Sequence, residues 1–160
     1  MWKLIGLLLL LITANGAPIL VAWLLRQRWS WPLDAGLVLG DGRPLLGSHI
    51  TWRGVVAAVL ATTLLAWLLG LGAALGAIIG LMAMAGDAFS SFIKRRLGLK
   101  PGDKATGLDQ IPESLLPLLM VADPCGLQWP DIALLVVSFT LFDMAISGPL
   151  YRLHLRRRPH

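Results

Sequence analysis

An uncharged stretch of 33 residues, 54–86, constrains the fold more than any other feature of this sequence. As one helix it would be about 50 Å long, well beyond the roughly 30 Å of hydrocarbon in a bilayer. Two helices with a tight turn near Gly70-Leu71-Gly72 fit better. They keep the basic residues that flank the stretch, from Arg53 and from Lys94 onward, on one side of the membrane. Because basic residues favour the cytoplasmic side, we predict a helical hairpin rather than one span.

The composition excludes a soluble domain. Hydrophobic residues make up 56% of the chain and charged residues only 14%, with a mean hydropathy of +0.72, whereas soluble domains carry about 25% charged residues. The single cysteine, Cys125, excludes a disulfide scaffold and a multi-cysteine metal site. Basic clusters flank apolar runs, which is the pattern of membrane insertion, so we expect a membrane protein and no nucleic-acid partner.

Three further apolar stretches can cross the membrane. Residues 4–25 carry no charge; Lys3 and a short apolar run also resemble a signal peptide, but the apolar sequence continues to residue 25, which favours a retained helix. Residues 132–151 form a clear span that contains Asp143. Residues 114–127 form the weakest span because they contain Pro117 and two other breakers.

These spans predict an all-α, polytopic integral membrane protein with about five transmembrane helices and one domain, residues 1–160. An outer N-terminus leaves only Lys3 of the 14 basic residues outside. Two cytoplasmic loops, 26–53 and 86–113, then hold six of the nine acids. We expect the site on the cytoplasmic side of the cell's inner membrane.

Small residues recur at Gly70, Gly72, Gly76 and Gly80. Such spacing permits close approach of helix backbones. The pattern predicts either packing within the helix bundle or a homodimer face.

A polar stripe begins at the inner end of the hairpin. On a helix, Asp87, Ser91, Lys94 and Arg95 share one face. Asp87 and Lys94 lie seven residues apart, roughly 10 Å along the axis, which is too far for easy pairing. The stripe suits a metal-bound polyphosphate, and the alternative is an internal salt bridge with snorkelling cations.

Two more segments carry candidate residues. Pro112 fits the first position of a helix, so Asp109 and Glu113 are either helix-capping acids or carboxylates for Mg²⁺, which prefers oxygen ligands. In the first loop, Trp52 and Arg53 suit either a substrate or the membrane interface. His49 by itself indicates a solvent-facing histidine.

These motifs resemble the CDP-archaeol synthase family, the archaeal branch of the phosphatidate cytidylyltransferase superfamily. Gly86-Asp87, Ser91 and Lys94-Arg95 match the G-D-x-x-x-S-x-x-K-R element. Leu108-Asp109-Gln110 and Thr51-Trp52-Arg53-Gly54 are similar to two further family segments. The resemblance covers about residues 36–120.

The resemblance implies transfer of CMP from CTP to the phosphate of a membrane lipid, with Mg²⁺ as cofactor and pyrophosphate as the second product. It implies three catalytic residues, Asp87, Lys94 and Asp109. It implies metal ligands at Asp87, Asp109 and Glu113. It implies substrate contacts from Thr51, Trp52, Arg53, Ser91, Lys94 and Arg95.

One departure bears on activity. The family pattern D-Q-x-D places an acid where this chain has Pro112, and Glu113 follows one residue later. Either Glu113 replaces that acid or the chain is a degenerate member. A non-catalytic small transporter or assembly protein is the alternative from another class, and it would use Asp143 in a polar path.

Overall fold

The computed structural model describes residues 2–26, 28–100, 103, 105 and 107–152, with side chains to residue 146. Within these residues the chain forms helices and two isolated β-bridges, which confirms the all-α prediction. The helices are α1 (Trp2–Leu25), α2 (Trp52–Leu68), α3 (Ala73–Arg96), α4 (Gln110–Met120), α5 (Ala122–Cys125) and α6 (Trp129–Arg152).

The predicted hairpin is confirmed. Helices α2 and α3 are joined by residues 69–72, where Gly70 and Gly72 adopt positive φ angles of 70° and 96° that favour glycine. A Cβ at Gly76 would lie 2.8 Å from the carbonyl carbon of Thr62. A Cβ at Gly80 would lie 2.9 Å from the Cα of Val59. These two glycines therefore serve packing within the hairpin, and the homodimer face stays a prediction.

Three helices of the described chain are long and apolar enough to cross a membrane: α1, α3 and the first 18 residues of α6. Helix α2 is apolar but has 17 residues. The predicted span over residues 114–127 is divided between α4, with 11 residues, and α5, with four. Eleven residues reach only about 16 Å, so the count of five crossings stays a prediction.

The helix bundle has two distinguishable ends. At the turn end, which carries residues 69–72, a Cβ at Gly6 near the start of α1 would meet Leu71. At the loop end, the guanidinium of Arg53 at the start of α2 donates to the backbone carbonyls of Arg26 and Arg28, just after α1. The first loop, residues 26–51, and the second, residues 97–109, both belong to this loop end.

The apolar core fills the turn half of the bundle and continues into polar residues toward the loop end. Leu7 and Leu11 of α1 are buried, and Asn15 follows one helical turn later. Likewise Leu135 and Phe139 of α6 lead to the buried Asp143. Residues four apart lie on the same face of a helix. In both α1 and α6 the inward face is therefore apolar in the turn half of the bundle and polar nearer the loop end.

One predicted boundary is corrected, because α4 begins at Gln110, two residues before the expected start at Pro112. Residues 86–96 of the predicted second loop form the end of α3, which confirms the helix predicted for the polar stripe. The first four N–H groups of a helix have no intrahelical partner, so proline is tolerated at the third position too. The basic C-terminal cluster, apart from the backbone of Arg152, and loop residues 101, 102, 104 and 106 lie outside the described residues.

Candidate active site

Helices α3 and α4 cross closely at Gly86. A Cβ there would lie 2.5 Å from the carbonyl carbon of Pro112 and 2.7 Å from the backbone nitrogen of Glu113. Only a residue without a side chain permits this approach. The crossing brings Asp87, the next residue of α3, beside the first turn of α4.

Glu113 lies among carboxylates at this crossing. The charges of Asp87, Asp109 and Asp143 all act on it, in that order of strength, against the positive charge of Lys94. Its Oε2 accepts a hydrogen bond of 2.8 Å from Nδ2 of Asn15 on α1. The predicted stripe residue Asp87 and the predicted ligand Glu113 are thus brought together.

Lys94 pairs with Asp109 and not with Asp87. Its Nζ lies 2.7 Å from Oδ1 of Asp109, and both side chains are almost fully buried. Nζ also donates to the backbone carbonyl of Asp103 at 3.3 Å. The other carboxylate oxygen of Asp109 accepts from the backbone N–H of Ala105 at 3.1 Å. Asp109 therefore binds Lys94 and the second loop, and its side chain makes no capping hydrogen bond to α4.

Arg95 is the most deeply buried cation of the described chain, with 1% of its surface exposed. Its Nη2 donates to the carbonyl of Lys100 at 2.8 Å. Within the described residues its Nε and Nη1 have no hydrogen-bond partner. Buried donors without a partner are costly, so an acceptor from outside those residues would stabilise this guanidinium.

Ser91 contacts a residue that sequence reasoning set aside. Its Oγ lies 2.9 Å from Nε2 of His49 in the first loop. His49 is exposed as a whole residue, but its ring lies among protein atoms. This desolvation, reinforced by the positive charges of Lys94 and Arg95, lowers the pKa of His49 to about 4. The imidazole is therefore neutral at physiological pH and offers one donor and one acceptor.

The first loop owes its shape to Asp34. The Oδ2 of this buried carboxylate accepts from the backbone N–H groups of Leu46 at 2.9 Å and Gly47 at 3.1 Å, and its Oδ1 from that of Gly36 at 3.0 Å. Burial opposes ionisation, but the three backbone donors outweigh it and lower the pKa of Asp34. The closed loop then delivers His49, two residues further on, to α3.

The tip of the first loop is also tied to the end of α3. Arg96 Nη1 pairs with Asp41 at 2.5 Å, and its Nη2 donates to the carbonyl of Pro44. In return, Nη1 of Arg43 donates to the carbonyls of Arg95 and Arg96. Cations at the C-terminus of a helix satisfy its free carbonyl groups and favour its dipole. Both loops therefore converge on the last turn of α3.

Gln110 links the second loop to the last helix. Its Oε1 accepts from the backbone N–H of Gly107 at 2.8 Å, and its Nε2 donates to Oδ2 of Asp143 at 2.9 Å. Both side chains are buried. The intramembrane acid Asp143 therefore has a partner in α4, which gives it a structural role beside the predicted polar path.

At the junction of the first loop and α2, the predicted substrate-binding residues Thr51, Trp52 and Arg53 make contacts of a different kind. Thr51 is the N-cap of α2, and its Oγ1 accepts from the backbone N–H of Gly54 at 3.3 Å. Trp52 is 55% exposed, and Arg53 contacts the end of α1 as described above. Their predicted substrate contacts stay predictions, since these interactions fix the start of α2.

The candidate ligands have the right chemistry for Mg²⁺, but their side chains do not form a complete coordination site. Asp87, Asp109 and Glu113 offer the hard oxygen atoms that Mg²⁺ prefers. Yet among the described residues no three acidic, histidine or cysteine side chains converge closely enough to hold an ion. Mg²⁺ usually takes one or two carboxylates from a protein and completes its coordination with substrate phosphates and water.

Sequence reasoning gave no site role to Asn15, His49 or Gln110, although Gln110 belongs to the segment Leu108-Asp109-Gln110 that carries the family resemblance. Asn15 had a usable signal, because an amide inside an uncharged span seeks a partner. His49 had none, since its contact with Ser91 depends on how the first loop closes.

Comparison with known proteins places this arrangement in a family. A family model described as CarS-like, CDP-archaeol synthase, matches residues 3–160. The CDP-archaeol synthase of Methanopyrus kandleri is 48% identical over 90 residues, so the chain spans about half the length of that relative and the match covers 50% of this chain. The CDP-archaeol synthase of Pyrococcus furiosus is 35% identical over 156 residues, covering 91% of this chain and 90% of the relative.

A solved structure, described as an intramembrane enzyme for archaeal membrane lipids biosynthesis, is 32% identical with a TM-score of 0.76. It matches 89% of this chain and 90% of its own. The long apolar helices and this neighbour identify an integral membrane protein. The chain is a member of the CarS-like family of CDP-archaeol synthases.

Proposed function

We propose that this protein transfers CMP from CTP to the phosphate of an anionic membrane lipid, yielding a CDP-lipid and pyrophosphate. The lipid is of the phosphatidic-acid type, with ether- or ester-linked chains. Family membership supports the reaction type, and the apolar helices support a substrate that resides in the bilayer.

Arg95 carries this proposal. A fully buried guanidinium with two donor nitrogens unpaired in the described chain fits a phosphate group, which accepts such donors in a forked geometry. Lys94 adds a second buried cation beside it. Two adjacent cations suit the triphosphate of a nucleotide better than a singly charged ligand.

The carboxylates complete the charge pattern. We assign Asp87 and Glu113 as the principal Mg²⁺ ligands. Asp109 is a weaker ligand, because it also pairs with Lys94, which neutralises its charge. Mg²⁺, when bound, neutralises phosphate oxygens and polarises the phosphoryl group. The protein's part is to hold these carboxylates at the α3–α4 crossing.

The chemistry is a substitution at phosphorus. An oxygen of the lipid phosphate forms a bond to the α-phosphorus of CTP, and the bond from that phosphorus to the bridging oxygen breaks, so pyrophosphate leaves with the electron pair. Both reactants are anions, so their repulsion is the main obstacle. Lys94 and Arg95 reduce it by pairing with phosphate oxygens, and orientation supplies much of the remainder. No covalent intermediate on the enzyme is required.

The remaining predicted residues support these groups. Ser91 lies on the same face of α3 as Lys94 and forms a polar pair with the neutral His49 of the first loop. Thr51 and Arg53 fix the start of α2, and the exposed Trp52 anchors it at the membrane interface.

We infer five crossings with the site on the cytoplasmic side of the inner membrane. All seven tryptophans are more than half exposed, and they fall into two groups, as in the aromatic belts of membrane proteins. At the turn end they are Trp2, Trp67 and Trp129; at the loop end they are Trp23, Trp29, Trp31 and Trp52. Since α6 begins with Trp129, α4 and α5 together return the chain to the turn end. A reporter fused at Gly42 should give the cytoplasmic signal.

Purified protein in lipid nanodiscs tests the reaction. With radiolabelled CTP, Mg²⁺ and a lipid phosphate, it should form labelled CDP-lipid and release pyrophosphate. Arg95→Gln should abolish most turnover. The control Lys100→Gln removes an exposed cation five residues later and should leave turnover nearly intact. Nucleotide binding without turnover by the wild type would identify a degenerate member. No binding at all would favour the transporter or assembly alternative.

A further inference from the structure

Asn15 is an unusual residue for its position in α1. It is the only amide side chain in a helix whose residues 4–25 carry no charge, and it lies ten residues before the helix end. A polar side chain at that depth is unfavourable unless it finds a partner within the bundle. Its partner is Glu113, 98 residues later in the chain, through the 2.8 Å bond from Nδ2 to Oε2.

This bond is not a by-product of a large helix interface. Helix α1 packs mainly on α2 and α3, and its contact with α4 is small. Two anchors fix the inner half of α1: Gly54 packs against Pro18, with a Cβ position 3.4 Å from the proline Cβ, and Arg53 binds the carbonyls that follow the helix. Asn15 is therefore held in place by residues that do not belong to α4.

The chemistry of the donor matters. Glu113 lies among three carboxylates, and like charges would turn it away from Asp87. A neutral amide fixes one carboxylate oxygen without cancelling its charge. Lys94 does the opposite for Asp109, where it neutralises the charge that it binds. The two acids of α4 are thus held in different ways, Glu113 by a neutral donor and Asp109 by a cation.

We propose that Asn15 is a positioning residue that orients Glu113 toward Asp87, so that the two carboxylates bind one divalent cation. The inference rests on the proposed function, which makes Glu113 a ligand. Hydrogen-bond partners of ligating carboxylates set the orientation of the ligand, and their loss typically costs 10–100-fold in metal affinity or activity. Helix α1 then belongs to the active site as well as to the membrane anchor.

Metal affinity tests this directly. Mn²⁺ replaces Mg²⁺ as a probe that electron paramagnetic resonance detects, titrated with CTP into protein in nanodiscs. Asn15→Leu keeps the branching at Cγ with a somewhat larger side chain, removes the N–H donor and makes α1 more apolar, so insertion is not impaired. It should weaken Mn²⁺ binding about 10–100-fold. The matched control is Thr63→Val in α2, whose hydroxyl donates to the carbonyl of Val59 in its own helix, and it should bind Mn²⁺ as the wild type does.

A second pair of variants separates positioning from general structure. If Asn15 acts through Glu113, adding Asn15→Leu to Glu113→Gln should weaken Mn²⁺ binding no further than Glu113→Gln alone. Asn15→Ala removes the same donor without adding bulk, and it should weaken Mn²⁺ binding to the same extent. Thermal melting of both variants shows whether the leucine disturbs folding.

The outcomes distinguish the two proposals. Wild-type Mn²⁺ affinity in both Asn15 variants, or losses that add in the double variant, would overturn the role of Asn15 and leave the proposed function standing. Absence of Mn²⁺ binding by the wild type in the presence of CTP would overturn the proposed metal site itself, and the role of Asn15 with it.

Discussion

Replacing Gly86 with alanine tests whether the α3–α4 crossing sets the catalytic geometry. The new Cβ would lie 2.5 Å from the carbonyl carbon of Pro112, whereas ordinary contact begins at 3.4 Å. The obstacle is backbone, which cannot rotate away, so the two helices must separate locally by about 1 Å. Overpacking of this kind costs about 1–3 kcal/mol, partly offset by the roughly 0.5–1 kcal/mol by which alanine favours a helix over glycine.

The effect on turnover should exceed the effect on stability. A displacement of about 1 Å between catalytic groups can cost on the order of 100-fold in rate, and this one separates Asp87 from Glu113. The assay is CDP-lipid formation in nanodiscs, with thermal melting alongside. Gly76→Ala is the matched control, because its Cβ would meet the Thr62 carbonyl in the same manner but ten residues away, toward the turn end. It should lower the melting temperature similarly and spare most turnover.

A third glycine calibrates the measurement. Gly16 on α1 has nothing within 4 Å of its Cβ position, so Gly16→Ala should leave both readouts unchanged or slightly raise stability. Full turnover in Gly86→Ala would refute the reasoning. So would an equal loss of turnover in Gly76→Ala, since the rate would then follow general packing and not the crossing.

Three further substitutions probe individual contacts. Lys94→Met leaves Asp109 buried without its cation and should cost about 3–5 kcal/mol of stability as well as CTP affinity; an unchanged melting temperature would contradict a buried pair. For His49, the unfolded chain takes up a proton near pH 6.5 while the folded protein does so only near pH 4, so stability should fall as the pH drops through this window. His49→Asn should lack that component, and a stability difference from the wild type that is independent of pH would exclude it. Asp143→Asn can still accept the hydrogen bond from the Gln110 amide and should keep most turnover. Asp143→Leu leaves that buried amide unpaired, at a cost of roughly 1–3 kcal/mol, and its turnover should fall about tenfold or more. Equal loss of turnover in both variants would mean that the charge of Asp143 is needed.

The length and charge pattern of the sequence were sufficient to predict the hairpin. Residues 54–86 are too long for one span and too apolar for a loop, and basic residues at both ends select the arrangement. The same reasoning could not place the start of α4. Proline fits any of the first helical positions, so Pro112 marks the first turn of a helix without fixing its first residue.

The polar stripe on α3 was predictable because it follows helical periodicity within one segment. Its partners were not, because they depend on tertiary contacts. Lys94 could have paired with any acid of the second loop, and only the crossing of α3 and α4 selects Asp109. His49 reaches Ser91 across 42 positions of sequence, through a loop whose closure depends on the buried carboxylate of Asp34.

The effect of displacing the acid from position 112 to 113 depends on both helical periodicity and tertiary contacts. One residue along a helix is a rotation of about 100°, so the displaced carboxylate cannot occupy the same place on an unchanged helix. In the structure the backbone at Pro112 lies against Gly86 of α3, while the side chain of Glu113 turns to the amide of Asn15 on α1. The carboxylate of Glu113 therefore lies between α3 and α1. It needs a hydrogen-bond donor from α1 to be oriented toward Asp87 on α3. The departure from D-Q-x-D is therefore compatible with an active site, provided that α1 supplies that donor.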